Sequence, residues 1–398
     1  VWTHQDLPAP FYEGGTQSPD QAYRDHGTAV LGEIASIENS FGTTGIAPLT
    51  SVGGQAININ DWPETAGAHF DAASAALEPG DIWLIELHGP GPGGDYIAME
   101  YWQNNYDAIA NSTAQGRICV EAAGNGSADL DNSIYEGRFD RNVRDSLAIL
   151  VGAGTPYDMN PEWFTNYGSR CDANGWGSAI YTTGYGDLYS SEGEDLWYTS
   201  DFGGTSGASP IVVGVCCIAQ SIYKELTDAV LTPEALRAAI TETGAPQPQP
   251  ATQYIGPRPN IPELLNHEIF DVEGVYLDSD VYNCMSGPVI MVRHPGEPGP
   301  VEVTVSSTTE PGGETISLPQ IEPGVFETTL MLTTNPPVGG DGQLSIDHGD
   351  VITASYAPLT DTTTANVDCA LPVISNVQIS EIGDTYATIT WDTDEPST

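Results

Sequence analysis

Apolar positions along this chain change their period near residue 270. Before that point, short continuous apolar runs alternate with stretches in which apolar residues recur every three or four positions. Ile82–Leu87, Arg117–Ala123 and Leu147–Val151 are runs of the first kind. Strands read this way when they are buried on both faces of a parallel sheet. Val30, Leu31 and Ile34, after Gly27, fall at helical spacing. From Ser209 to about Tyr223 the chain is apolar nearly all round, through Ile211, Val212, Val213, Val215 and Ile218. A helix of that kind belongs inside a core. Thr232-Pro233 supplies an N-cap and a proline at the first helical position, and Gly244 a stop. The alternation predicts an α/β fold, a parallel sheet flanked by helices, over residues 1–268.

The segment from Gly244 to Pro250 is rich in proline and closes this region as a loop. Beyond it the period becomes two. Val301–Val305 and Val351–Tyr356 alternate apolar and polar residues between Gly, Pro and Asp clusters, which predicts an all-β sandwich over 269–371. Cys284 stands near the start of that region and Cys369 at its end, so a disulfide clamp between them is expected. Residues 372–398 begin afresh. The alternating run Ala387–Trp391 resembles an opening strand of a fibronectin type III domain, of which only part is present.

Charge narrows the function. There are 55 acidic residues against 10 basic ones, a formal net charge of −45. Phosphate neutralisation needs Lys and Arg, which argues against nucleic acid as a partner. An anionic membrane would repel the same surface, and no run of about 18 apolar residues predicts a membrane span. Two readings of the acidity stay open: solubility as a monomer, with salt limiting self-repulsion, and binding of divalent cations. None of the six cysteines forms a C-x-x-C pair, so a zinc ribbon or redox dithiol is unsupported.

Three segments carry candidate chemistry. Gly203-Gly-Thr-Ser-Gly-Ala-Ser-Pro210 places Ser206 just ahead of the long apolar helix, where the helix dipole favours a developing negative charge. Pro210 fits a first helical turn, which needs no amide hydrogen. A plain helix cap would look the same from Ser206 alone. Asp25-His-Gly-Thr places His26 at the start of an amphipathic helix, suited to a general base held on a rigid element. Glu121-Ala-Ala-Gly-Asn-Gly126 puts the Asn125 amide at a strand end, where it can donate to an oxyanion; an ordinary Asn-Gly turn is the alternative.

Together, in the order His, Asn, Ser, these segments resemble the subtilase family of serine proteases. His-Gly-Thr is similar to its histidine motif, Ala-Ala-Gly-Asn to its oxyanion segment and Gly-Thr-Ser-x-Ala-Ser-Pro to its serine motif. Gly45-Ile-Ala-Pro48 and Thr182-Thr-Gly-Tyr-Gly186 add to the likeness, which spans nearly all of residues 1–268. The resemblance implies a subtilisin-like fold and a secreted Ser-His-Asp endopeptidase with an acyl-enzyme intermediate. Its substrates would be peptides or proteins. His26, Asn125 and Ser206 would be its catalytic residues, and Ca²⁺ would be structural. Leu87, His88 and Gly89 match one wall of the substrate cleft, and Ala122, Ala123 and Gly124 the other. His88 departs from the smaller residue usual in the family. Asp6 matches a calcium ligand of many relatives. The triad aspartate of the family precedes its histidine on a strand. The alignment of Thr3–Leu7 places that residue ahead of Val1.

Other readings fit less well. Gly89-Pro-Gly-Pro-Gly-Gly94 lacks the following helix of a dinucleotide loop and is expected to be a plain loop. Ala208 breaks the Gly-x-Ser-x-Gly of an α/β-hydrolase. A sedolisin would carry glutamate where His26 stands. The rival from another class is a catalytically inactive binding or adhesion protein on a protease scaffold, with tail domains that hold a surface or polymeric substrate.

Overall fold

The computed structural model describes residues 2–57, 63–190, 192–248, 252–270, 272–370, 374–382 and 387–393. They form two compact units, Val1–Phe270 and Asp271–Thr398.

In the first unit, β3 (Ile82–Ile85), β6 (Ile118–Ala122), β7 (Ile149–Gly154) and β8 (Ala173–Trp176) form a parallel sheet in that order. Trp83 lies opposite Cys119, Val120 opposite Ile149 and Val151 opposite Ala173. Every residue of β6 and β7 is buried, as continuous apolar runs require. Outside this sheet, β1 (Tyr12–Gly14) runs parallel to β2 (Gly53–Gln55), and β9 (Ile180–Thr183) antiparallel to β10 (Tyr198–Phe202). Helices α1 (Gln21–Ala35), α2 (Gly67–Ser74), α3 (Gln103–Ala114), α4 (Thr205–Thr227), α5 (Pro233–Thr243) and α6 (Ile261–Leu265) surround the sheet. The main core joins Val30 and Ile34 of α1, Val120 and Val151 of the sheet, and Val212, Val213, Val215 and Cys216 of α4. By length and hydropathy α4 could cross a bilayer, yet two-thirds of its apolar window is buried in this core. At Gly175 of β8 a Cβ would stand 2.2 Å from the Ala208 carbonyl oxygen, so this glycine lets α4 lie directly on the sheet.

Three local expectations are corrected. Helix α1 starts at Gln21, capped by Asp20, whose carboxylate accepts from the Ala22 N–H at 3.0 Å; His26 therefore sits in its second turn, not at its start. Helix α4 starts at Thr205, so Pro210 lies in the second turn and its missing N–H leaves the Ser206 carbonyl without the usual i+4 donor. The Gly-Pro stretch after Leu87 is a hairpin rather than a plain loop: β4 (His88–Pro90) pairs antiparallel with β5 (Tyr96–Ala98). Helix α5 is capped by Thr232 as its sequence predicts, and Gly244 ends it in an extended conformation.

The second unit contains two sheets. One has four antiparallel strands: β11 (Gly274–Leu277), β13 (Val289–Arg293), β17 (Val325–Thr329) and β16 (Gln320–Glu322). The other has five, in the order β12 (Val281–Tyr282), β21 (Asp361–Val367), β20 (Val351–Tyr356), β14 (Val301–Ser307) and β15 (Glu314–Leu318), with only β12 and β21 parallel. β18 (Met331–Thr333) pairs with β19 (Gln343–Ser345). Alternate residues of β14, Val301, Val303 and Val305, enter one apolar core with Ile290, Val292, Phe326 and Ile352. Cys284 and Cys369 are disulfide-bonded, with Cα atoms 5.0 Å apart. β22 (Ile374–Ile382) and β23 (Ala387–Thr393) make a two-stranded hairpin.

Candidate active site

Ser206 is the second residue of α4, and the turn ahead of it sets the geometry. Gly204 has φ +83°, a conformation that side-chain-bearing residues rarely adopt. A Cβ placed there would lie 3.2 Å from Asn125 Nδ2 and 3.5 Å from the backbone N of Ser206. These two nitrogens thus border one small space beside the serine, which only a glycine leaves empty. The Ser206 N–H, in the first helical turn, has no intrahelical acceptor.

The orientation of the Asn125 amide follows from its neighbours. Its Oδ1 accepts from the Thr205 backbone N–H and from the Thr205 hydroxyl, both at 2.9 Å. An N–H cannot accept, so the oxygen must face Thr205 and Nδ2 must face the space beside Ser206. The Thr205 oxygen in turn accepts from the Gly124 N–H at 3.2 Å. Thr205 was legible only as part of the serine motif; its work as a clamp between α4 and the end of β6 needed the fold.

A second clamp, Asn166, has no sequence signal, because it lies in the loop between β7 and β8. Its Oδ1 accepts from the Gly126 and Ala128 N–H groups at 3.1 and 2.9 Å. Its Nδ2 donates to the Ala123 and Tyr96 carbonyls at 2.6 and 2.7 Å. It ties the segment Ala123–Ala128 to the β4–β5 hairpin.

The two expected cleft walls are therefore neighbours in space. Leu87, His88 and Gly89 run into and along β4, while Ala122, Ala123 and Gly124 end β6 and leave it. His88 bridges them. Its Nδ1 accepts from the Asn125 N–H at 3.2 Å, and its ring stacks on Tyr96 at 4.4 Å. The larger residue at this position links the walls instead of merely lining one.

His26 lies edge-on to Phe202, 5.6 Å between ring centroids, at the end of the strand that leads into the Gly203-Gly204 turn. The Thr182 and Thr183 hydroxyls hold α1 in place by donating to the Ala29 and Thr28 carbonyls, at 2.8 and 2.7 Å. Burial, with a smaller contribution from His88, pulls the His26 imidazole down to about 4. Among the described residues no carboxylate hydrogen-bonds to it. Asp25, its neighbour in sequence, instead takes a hydrogen bond from the Tyr185 backbone. Gly27 faces open space.

Asp6 is fully buried, but its surroundings are donors. Its carboxylate accepts from Asn39 Nδ2 at 2.7 Å, the Thr43 N–H at 2.8 Å and the Tyr198 hydroxyl at 3.3 Å. A calcium ion wants six to eight oxygen ligands, and among the described residues no three His, Cys, Asp or Glu side chains converge on one point. As placed, Asp6 fits a donor-satisfied carboxylate, and the calcium expectation rests on the resemblance alone.

Behind β6 lies a buried charge group. Arg170 donates to Glu100 Oε1 at 2.7 Å through Nε and to Oε2 at 2.8 Å through an amino group, and reaches Asp172 Oδ2 at 2.5 Å. Burial, more than the nearby Glu100, raises the Glu121 carboxyl to about 8. Ala122 to Asn125 are thus backed by a fixed polar framework.

Comparison with known proteins identifies the family. A profile of the subtilase family matches residues 5–256. Subtilisin DY of Bacillus licheniformis is 28% identical over 231 residues, covering 56% of this chain and 74% of that protein. The dibasic-processing endoprotease of Yarrowia lipolytica is 29% identical over 217 residues, 51% of this chain and 21% of its own length. M-protease of Shouchella clausii is 27% identical over 231 residues, 55% of this chain and 51% of its own length. This chain thus spans less than two-thirds of two of these three relatives. A solved cold-adapted subtilisin-like serine proteinase aligns over 58% of this chain and 73% of that chain, at 21% identity and a TM-score of 0.43. The matched span contains His26, Asn125 and Ser206, and the chain belongs to the subtilase family of serine proteases.

Proposed function

We propose that this chain carries the catalytic machinery of a secreted endopeptidase that cleaves peptide bonds through an acyl-enzyme at Ser206. The carrying observation is the space at Gly204, faced by Asn125 Nδ2 and the Ser206 N–H. Two donors converging beside a hydroxyl suit the oxyanion of a tetrahedral intermediate. In this reading the Ser206 oxygen attacks the substrate carbonyl and His26 takes the hydroxyl proton. The two donors hold the negative oxygen, and His26 returns the proton to the leaving amine. Water then repeats the sequence on the acyl group. The backbone around Leu87–Gly89 and Ala122–Gly124 would pair with an extended peptide.

The same chemistry calls for a carboxylate. A proton received by His26 puts a positive charge into a buried pocket that already disfavours it. Our reading gives that role to an aspartate on a strand ahead of His26, as the family motif order implies. An inactive binding protein is the alternative that the unpaired His26 favours.

One experiment separates the two. Incubation with a serine-directed phosphonate, followed by peptide mapping, is expected to label Ser206. Labelling of a different residue in an active preparation, or an inert Ser206 with an aspartate supplied ahead of His26, would sink the enzyme reading.

A further inference from the structure

Glu86 stands between β3 and β4, and its carboxyl lies against the first turn of α4. Ser209, three residues after the nucleophile, contacts two acceptors with one hydroxyl. Its Oγ lies 2.8 Å from the Thr205 carbonyl oxygen, and it also contacts Glu86 Oε1. The hydroxyl has one proton, and a carbonyl can only accept, so Ser209 donates to Thr205 or to Glu86 but not fully to both. With that proton donated to the Thr205 carbonyl, the Glu86 contact is a full hydrogen bond when the carboxyl donates to Ser209 Oγ. Both contacts are hydrogen bonds at once when Glu86 is protonated.

The surroundings agree. Glu86 Oε2 is buried with no hydrogen-bond partner, and so are both carboxyl oxygens of Glu33 on α1. Burial, with a further contribution from the charge of Glu86, raises Glu33, and no basic side chain is paired with either acid among the described residues. Two carboxyls this close in a buried space cannot both ionise cheaply. The other titratable groups near Glu86 are Tyr185, after β9, and His88, two residues on; His26 shares α1 with Glu33. Glu121 of β6 belongs to the Arg170 group instead. Burial raises Glu86 to about 8, against smaller opposing effects of Ser209 and Ser206. The nucleophile itself therefore lies close enough to act on the charge of this carboxyl.

We propose that Glu86 is a positioning residue for Ser206: as a neutral acid it donates to Ser209 and fixes the first turn of α4, and as an anion it draws the Ser206 hydroxyl proton toward itself and switches the nucleophile off. The anion would compete with His26 for that proton and would repel an oxyanion forming nearby. The proposal rests on Ser206 being the nucleophile. It adds an alkaline limit set by a residue that never touches substrate.

The test compares the full chain with Glu86→Gln and Glu86→Ala by the rate of phosphonate labelling at Ser206 from pH 5 to 10, and by thermal unfolding over the same range. Glutamine keeps a neutral donor and cannot ionise. The parent rate is expected to fall about tenfold or more between pH 7 and 9.5, while Glu86→Gln stays level across that window and Glu86→Ala is slower than both at pH 7. Unfolding gives a readout independent of the nucleophile. A folded-state value raised from 4.5 to about 8 means that stability present at low pH is lost as pH rises between those values. The melting temperature of the parent should therefore drop relative to Glu86→Gln from pH 5 to 8.5. Parallel melting curves, an unchanged alkaline fall in Glu86→Gln, or full-rate labelling of folded Glu86→Ala would each overturn the proposal. An absence of Ser206 labelling at every pH, with the melting difference intact, would instead count against the protease reading.

Discussion

Asn125 has a single amide, and its two ends serve different partners. Thr205 takes the oxygen with two hydrogen bonds, which leaves the nitrogen to face the space at Gly204. That division predicts the outcome of two substitutions. Asn125→Ala removes a donor used mainly in the transition state, so turnover should drop by about 10²–10³ with little change in KM. Steady-state kinetics on a peptide substrate checks this, and an unchanged kcat would refute the donor role. Thr205→Val keeps the shape but loses the hydroxyl that orients the amide and accepts from Gly124. It should lower kcat by a smaller factor, since the Thr205 N–H still holds Oδ1. If Thr205→Val proved more damaging than Asn125→Ala, the clamp would matter more than the donor.

At the scale of elements, the catalytic segment is a strand end and a helix start held at fixed distance. Asn166 and Thr205 tie the end of β6 to the hairpin and to α4, and the Arg170 group supports β6 from behind. Arg170 is 1% exposed, and its guanidinium is the only cation paired with the Glu100 carboxylate among the described residues. Replacing it with methionine strands Glu100 in a buried site without its counter-charge, and Asp172 keeps only Arg141 and a distant Arg237. Breaking a buried pair from one side costs about 3–5 kcal/mol. Arg170→Met should therefore fail to fold or melt far below the parent in calorimetry. A melting temperature within a few degrees of the parent would show that the group is not a support.

For the whole molecule, the charge of −45 sets an expectation about solvent. Self-repulsion of a surface this acidic is screened as the Debye length falls from about 30 Å at 0.01 M salt to about 3 Å at 1 M. The melting temperature should rise steadily with sodium chloride over that range; a flat response would mean that the acids are locally neutralised. Reducing agent probes the second unit. Cys284–Cys369 is its disulfide, whereas Cys119, Cys171, Cys216 and Cys217 of the first unit are unpaired. Losing such a link in a small domain typically costs about 2–5 kcal/mol. The unfolding transition of the sandwich should move down on reduction while that of the first unit stays.

Much of this protein is determined by sequence alone. Buried parallel strands announce themselves as apolar runs, and a core helix as an apolar stretch with no polar face, so the sheet and α4 were legible. His26, Asn125 and Ser206 stand out as candidates in the sequence because each lies in a short motif of fixed residue types. Tertiary structure decided the rest, because it depends on groups far apart in the chain. Nothing in the sequence near Asn166 marks it as a clamp, since its partners Tyr96 and Ala123 reach it only through folding. His88 read as a wall residue and is a bridge, because the hairpin carries its ring to Asn125. Glu86 and Glu33 lie more than fifty positions apart and read as ordinary acids; folding buries both carboxyls and brings Glu33 within reach of the Glu86 charge. Periodicity reports which face of an element is buried, but which side chains meet there depends on how the elements pack.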